Sequence, residues 1–316
     1  MNNLVSVNIV TWNSMKYIPD CLAALHNQTH RNFEVIVVDN ASTDGTVEFI
    51  RSSYPSVRLV QNSGNAGFCR GHNQAIRLSD SAFVLPLNPD VTMTPTYIEE
   101  LVKALMEEPQ GGIAVAKLYL PGGNLLDGAG LSISRARRQY LRGHGEADDG
   151  TFQAREYVFG ADGAAPLYRR AMLEDIRLGD DYLDEDFFSH KEDLDLSWRS
   201  QLYGWRCIYV PAAVASHDRN FKPSARQRMS GEVKRHAVKN RYLTMVKNEL
   251  PLLFLRDLPF IIWYDLKILG YLLLFERSSL PALADFVRLL PQAIRKRRVI
   301  MGNRKVSATY MGQFFR

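Results

Sequence analysis

The run "FVLPLNPDV" places Asn88-Pro89-Asp90 directly after an apolar stretch that reads as a buried strand, Phe83–Leu87. An ionised carboxylate taken out of water costs several kcal/mol unless it is paired or holds a metal. Asp90 therefore needs a partner. A second acidic point is Glu192-Asp193, at the expected start of a helix. Two adjacent carboxylates repel each other, which raises the pKa of one and suits a general base near neutral pH. Asp39 closes the β-branched run before it, and His217 follows a strand that starts at Arg206. Asp184, Glu185 and Asp186 precede Phe187-Phe188, an acidic cluster that could extend a metal site or, with the two aromatic rings beside it, shape a binding pocket. Each residue alone has a plainer reading. Asp90 could simply end a strand, Asp39 could form an Asx turn, Asp193 could serve a helix dipole, and His217 could be a hydrogen-bonded structural histidine.

The elements that must position these groups alternate. Residues 4–10 read as a strand, 16–27 as a helix, 33–38 as a strand, and 57–60 as a short strand. Ser42 or Thr43 is expected to cap the helix between the last two. The Gly/Asn-rich "QNSGNAGFCRGHNQAI" enters a further helix. Such alternation implies an α/β fold with a mainly parallel sheet, whose ligands bind beyond the carboxyl ends of the strands. Those ends carry Thr11-Trp12-Asn13, Asp39-Asn40, residues 62–67 and Asn88-Pro89-Asp90. Residues 122–150, with Arg135, Arg137 and Arg138, read as an irregular, mobile segment over the acceptor side, or as an ordinary loop with solvated charges. A strand is expected over residues 157–168, and a helix carrying Glu192, Asp193 and Asp195 should end at Gly204.

Six stretches in order, "NIVTWN", "VIVVDNASTDGT", "NSGNAGFCRGHNQAI", "LNPD", "FGADGAAPLYRR" and "LDEDFFSHKEDLDLSWR…GW", resemble the inverting family 2 glycosyltransferases of GT-A fold, most nearly the bacterial rhamnosyltransferases. The resemblance covers roughly residues 4–220. It implies that Asp39 bonds the pyrimidine base of the donor and that Thr11, Asn13, Asn65, Arg70, Asn73 and Asn88 line the nucleotide site. Asn88-Pro89-Asp90 then stands in the place of an Asp-x-Asp signature, with Asp90 as ligand of Mg²⁺ or Mn²⁺ and His217 completing the metal site. Asn88 brings no charge where the family has an Asp. Asp193 becomes the base with Glu192 as its neighbour, and Asp184, Glu185, Asp186 and Phe187 fall on the acceptor side. The chemistry agrees: transfer from a nucleotide diphosphate needs the leaving charge neutralised, a base for the acceptor hydroxyl, and exclusion of water. The implied donor is dTDP-rhamnose, with a UDP-hexose as the alternative. The implied acceptor is a lipid-linked sugar or polysaccharide of the cell surface. A sugar nucleotidyltransferase would instead carry a Gly-rich, basic signature after its first strand, where Thr11-Trp12-Asn13 stands. A catalytically silent, membrane-associated scaffold that only binds nucleotide sugars is the other reading; Asn88 is its sole support.

Composition divides the chain. Residues 1–218 hold 19 Lys and Arg against 28 Asp and Glu, whereas residues 219–316 hold 20 against 6. Opposite signs suggest two jobs, a GT-A domain over 1–218 and a helical extension over 219–316. The extension is basic, then strongly apolar, with Arg256, Asp257, Asp265, Lys267 and Glu276 interrupting it. Trp263, Tyr264 and Tyr271 beside aliphatic residues suit helices lying on an anionic membrane surface, and packing onto the domain or onto another copy of the chain is the alternative. No nucleic-acid module is recognisable. Cys21, Cys69 and Cys207 show no disulfide or zinc spacing, and no signal peptide is expected at the N-terminus, which together suggest the cytoplasmic side of a membrane.

Overall fold

A computed structural model describes residues 3–219 and 231–316. Its first half alternates as β1 (Val5–Thr11), α1 (Ile18–His26), β2 (Phe33–Asp39), α2 (Thr46–Ser53), β3 (Arg58–Gln61), α3 (Phe68–Arg77) and β4 (Phe83–Leu87). Then come β5 (Val91–Met93), α4 (Tyr97–Glu107), β6 (Gly111–Tyr119), β7 (Leu126–Gly128), and a hairpin of β8 (Leu131–Ile133) and β9 (Gln139–Leu141). β10 (Glu156–Val158), β11 (Leu167–Arg169), α5 (Arg170–Ile176), α6 (Glu192–Leu202) and β12 (Arg206–His217) complete the sheet region. Four helices follow: α7 (Gly231–Asn248), α8 (Pro251–Phe275), α9 (Pro281–Gly302) and α10 (Ala308–Gly312).

The sheet runs β10-β12-β6-β11-β4-β1-β2-β3. β3, β2, β1 and β4 are parallel, and β11 is inserted antiparallel between β4 and β6. The central strands are apolar without alternation because helices cover both faces, as a parallel sheet requires. One core packs Ile18, Leu22, Ile98 and Leu101 against one face. The other face carries α3 and α6, with Trp198 and Phe187 among its buried side chains.

Three expectations change. The strand foreseen over 157–168 is two short ones, β10 and β11, separated by the turn that carries Asp162. Gly45, at φ +91°, rather than Ser42 or Thr43, stands at the N-cap of α2, while Asp44 bonds the Thr46 hydroxyl at 2.6 Å. Residues 122–150 are built into the fold: β7 pairs with β6, and Leu126, Leu131, Ile133 and Arg137 are buried.

The change of charge at 218 is a change of composition, while the core runs across it. Leu243, Leu250, Leu253, Ile300, Met311 and Phe315 join the same apolar cluster as Trp198 and Phe187. Of the basic stretch that begins the extension, residues 222–230 lie outside the described residues. The remainder forms α7.

Candidate active site

The loop after β4 turns at Asn88, whose backbone N–H donates to Ala164 at 2.8 Å. β5 then pairs antiparallel with the end of β12, Val91 opposite His217. That register sets Asp90 beside His217, although 127 residues separate them in sequence. Asp90 Oδ1 is buried and lies 3.3 Å from His217 Nε2, an ion pair when the ring is charged. On its other side the ring bonds Asp127 through Nδ1 at 2.9 Å. Burial disfavours the charged imidazole, but the bond to Asp127 and the nearby Asp90 outweigh it and push His217 up to about 9.

Arg219 closes the cluster, donating to Asp127 and to Asp162 at 2.6 Å each. His217, Asp127 and Asp162 offer ligand atoms within 4.8 Å of one another. Arg219 already pairs with both aspartates, and the bonds from His217 and Arg219 hold Asp127 below the usual carboxylate range despite burial. Asp90 and His217 Nε2 face each other across the cleft wall, and once the ring gives up its proton their oxygen and nitrogen, with Asp127 orienting the ring from behind, form a donor set that fits a divalent cation.

Across the same cleft, of about 810 Å³, stand Glu192 and Asp193 in the first turn of α6. The backbone reaches them through three non-glycine residues at positive φ: Phe188 at 64°, His190 at 69° and Lys191 at 67°. Such conformations cost about 1–3 kcal/mol each and persist only where the surroundings impose them. Here α7 imposes them: the Asn240 amide donates to the carbonyls of Phe187, Ser189 and His190 at 3.0, 2.8 and 2.7 Å. Asp193 accepts from Gln139 at 3.1 Å and from its neighbour's N–H, Leu194, at 2.7 Å. Glu192 Oε2 is buried with no partner. Burial first, and then the charge of Asp193, raises the Glu192 pKa; burial likewise raises that of Asp193. This is the pairing a base near neutral pH requires.

Of the remaining expected residues, Asn88 lines the cleft and the others lie elsewhere. Thr11 and Asp39 are register partners at the ends of β1 and β2, and the Thr11 hydroxyl donates to Asp39 at 2.7 Å. Asp39 also accepts the Ser42 N–H at 2.9 Å and the Ser42 hydroxyl. Its two oxygens can take about four donors, so room remains for one more. Asn13 ties the loop after β1 to the loop after β2 by accepting from the Thr43 N–H, and Asn65 closes a local turn by accepting from the Gly67 N–H. Arg70 is exposed on α3, and Asn88 lines the cleft with Asp90. Asn73 is buried, its amide exchanging hydrogen bonds with the Leu183 backbone and donating to Glu185, so it ties α3 to the acidic loop. The acceptor assignment of Asp184, Glu185, Asp186 and Phe187 is corrected. Asp184 is buried between Lys247 and Lys296, Asp186 is bound by Lys296 at 2.7 Å, Glu185 by Arg77 at 3.4 Å, and Phe187 is fully buried under Lys247. None of the four lines the cleft.

Sequence reasoning missed Asp127, Asp162, Arg219 and Gln139. Asp162 sits inside the quoted "FGADGAA", but Asp127 lies in the stretch read as mobile. Only the β7–β6 pairing brings it beneath His217.

Comparison with known proteins places the chain in a family and a fold. A rhamnosyltransferase of Mycobacterium tuberculosis, named N-acetylglucosaminyl-diphospho-decaprenol L-rhamnosyltransferase, is 28% identical over 244 residues, 69% of this chain and 76% of that protein. Staphylococcus aureus TarS residues 1–349, solved with UDP-GlcNAc, superposes with a TM-score of 0.59 at 18% identity, covering 98% of this chain and 92% of that one. GalNAc-T7, solved with UDP, GalNAc and Mn²⁺, gives a TM-score of 0.62 at 14% identity over 78% of this chain and 48% of that one. These superpositions establish the GT-A fold. The model of "Glycosyl transferase family 2" matches residues 6–177, over half of the sequence, and so the chain belongs to glycosyl transferase family 2.

Proposed function

We propose that the chain is an inverting transferase that moves L-rhamnose from dTDP-rhamnose onto the hydroxyl of a lipid-linked acceptor sugar during cell-surface glycan synthesis. The observation that carries it is one cleft with two unlike charged walls. Asp90 and His217 stand where a cation for the donor diphosphate would be held, and Glu192 and Asp193 stand where an acceptor hydroxyl would lose its proton. The rhamnosyl donor and lipid-linked acceptor are supported by the similarity to the mycobacterial N-acetylglucosaminyl-diphospho-decaprenol L-rhamnosyltransferase.

In this reading Thr11, Asp39 and the adjacent Asn13 and Asn65 hold the nucleotide at the ends of β1 to β3. Mg²⁺ or Mn²⁺, once bound by Asp90 and His217, would offset the charge that develops on the leaving diphosphate. Asp193, fixed by Gln139, takes the acceptor proton, and its raised pKa suits that task at neutral pH. One base and one displacement give inversion at the transferred carbon.

The test is a panel of nucleotide sugars, read first by thermal stabilisation and then by transfer, with proton NMR of the anomeric configuration of the product. A bound donor raises the melting temperature by mass action. Stabilisation by dTDP-rhamnose over UDP-hexoses and an inverted product are expected. Preference for a UDP-sugar would reassign the donor, and retention of configuration would remove Asp193 as a single-displacement base.

A further inference from the structure

The cleft does not end at Asp193. Beyond Gln139 lies a second cavity of about 450 Å³, and the two have Arg138, Gln139, Lys191 and Ala237 as common wall residues. The far wall of this cavity is α8, which contributes Tyr264, Lys267, Ile268, Tyr271 and Leu272. Its described lining holds Arg138, Lys191, Arg241 and Lys267 and no acidic residue. Arg241 is anchored by Asp265 at 2.9 Å. Arg138 and Lys267 are exposed and rest on aromatic rings: the Arg138 guanidinium is 4.6 Å from Tyr140, and the Lys267 ammonium is 4.8 Å from Trp263. From there α8 continues outward with Leu274 and Phe275 at 72% and 75% exposure.

Along this path the chemistry changes in a fixed order. First come the carboxylate pair, then a chamber of cations with aromatic and aliphatic walls, then an exposed apolar helix. We propose that the second cavity is the subsite for the diphosphate and first lipid units of a lipid-diphosphate-linked acceptor, whose sugar reaches Asp193 past the wall formed by Arg138, Gln139 and Lys191. The inference rests on the transferase reading and names its acceptor class. A sugar, a doubly charged diphosphate and a hydrocarbon chain match the three zones one for one. A polysaccharide acceptor would present neither a diphosphate to these cations nor a hydrocarbon to the apolar wall. A bulk phospholipid headgroup would need no connection to the base.

The experiment uses the full chain and farnesyl diphosphate as the probe, with farnesol and inorganic diphosphate as its two halves, read by calorimetry in the presence of saturating dTDP. The expected result is binding of farnesyl diphosphate at least about tenfold tighter than either half, undisturbed by dTDP. The double variant R138Q/K267Q should weaken that binding by about tenfold while leaving dTDP affinity within twofold. Displacement by dTDP would show that the probe sits in the donor site and would overturn the proposal. So would displacement by an equal concentration of short-chain phosphatidylglycerol, or an undiminished affinity in R138Q/K267Q. Absence of turnover with every nucleotide sugar would sink the transferase reading instead, and the binding arm would still succeed or fail by itself.

Discussion

At the residue scale, Glu192 and Asp193 keep two carboxylates together in a buried place, and that arrangement has a measurable cost. Both pKa values are raised, so between the unfolded value of about 4.3 and the folded one the native chain holds more protons than the unfolded chain. Stability therefore falls as pH rises through that interval. Glu192→Gln should raise the melting temperature by about 2–4 °C at pH 8, and the gap should close as the pH falls towards 4. An equal gap at both pH values would point to packing, not charge. Asp193→Asn keeps the shape and the Gln139 contact but cannot accept a proton. Transfer should fall by at least about 10²-fold with nucleotide affinity retained; near-normal turnover would move the base to Glu192. Asp90→Ala should lower transfer by a similar factor, about 10²-fold, and abolish sensitivity to EDTA. Transfer that survives both at full rate would leave Asp90 as a strand-end residue. Asp90, His217 and the Glu192-Asp193 pair were legible because type and motif order coincide. Asp127 and Arg219 were not, because their role exists only once β7 and β12 meet on β6.

At the scale of elements, the strands from β1 to β4 follow from apolar runs closed by polar corners, and their observed ends lie within a residue or so of those expected. Periodicity fails for residues 122–150. Three-residue strands and two glycine turns leave no repeat to read, and the arginines there look solvated. Arg137 shows what is hidden: it is fully buried, bound by Glu249 and by Asp257 at 2.8 Å, with its guanidinium 4.0 Å from the Phe315 ring. A local sequence window sees a charge in a loop, while its partners lie over 110 positions away. Removing Arg137 leaves Glu249 buried without its cation, while Asp257 keeps Arg135 and Arg256, at a cost of about 3–5 kcal/mol. Arg137→Met should therefore lower the unfolding free energy by that amount in urea. A loss below about 1 kcal/mol would mean that Glu249 finds water instead.

At the scale of the whole molecule, the opposite charges of the two parts are complementary. Lys247 from α7 and Lys296 from α9 sit on Asp184, Lys247 also reaches Asp195 at 2.8 Å, and Asn248 bonds Asp195 at 2.7 Å. The extension thus completes the second core, and cutting the chain near Asn248 should unfold the α/β part rather than release it. What the extension leaves exposed is one face of α8, where Leu252, Leu255, Trp263 and Leu266 are 72%, 65%, 62% and 57% exposed. The helix is long and apolar enough to cross a membrane by length and composition, yet Asp257 near its start is clamped by Arg135 and Arg137 of the domain. Tied down in this way, the face is better suited to lie on a bilayer than to pass through it, and we propose that it docks the enzyme on the cytoplasmic leaflet. Arg288, Arg295 and Arg298 then supply attraction of roughly 1 kcal/mol each near an anionic surface, and salt screens that share while leaving the apolar share intact. The full chain should float with phosphatidylglycerol vesicles, float less with neutral ones, and come off only in part at 1 M salt. Replacing Leu255, Trp263 and Leu266 together by Ser removes the apolar share, so this variant should be released completely by the same salt while its melting temperature stays within a few degrees of the parent. A variant that still floats at high salt would place the membrane contact elsewhere on the molecule.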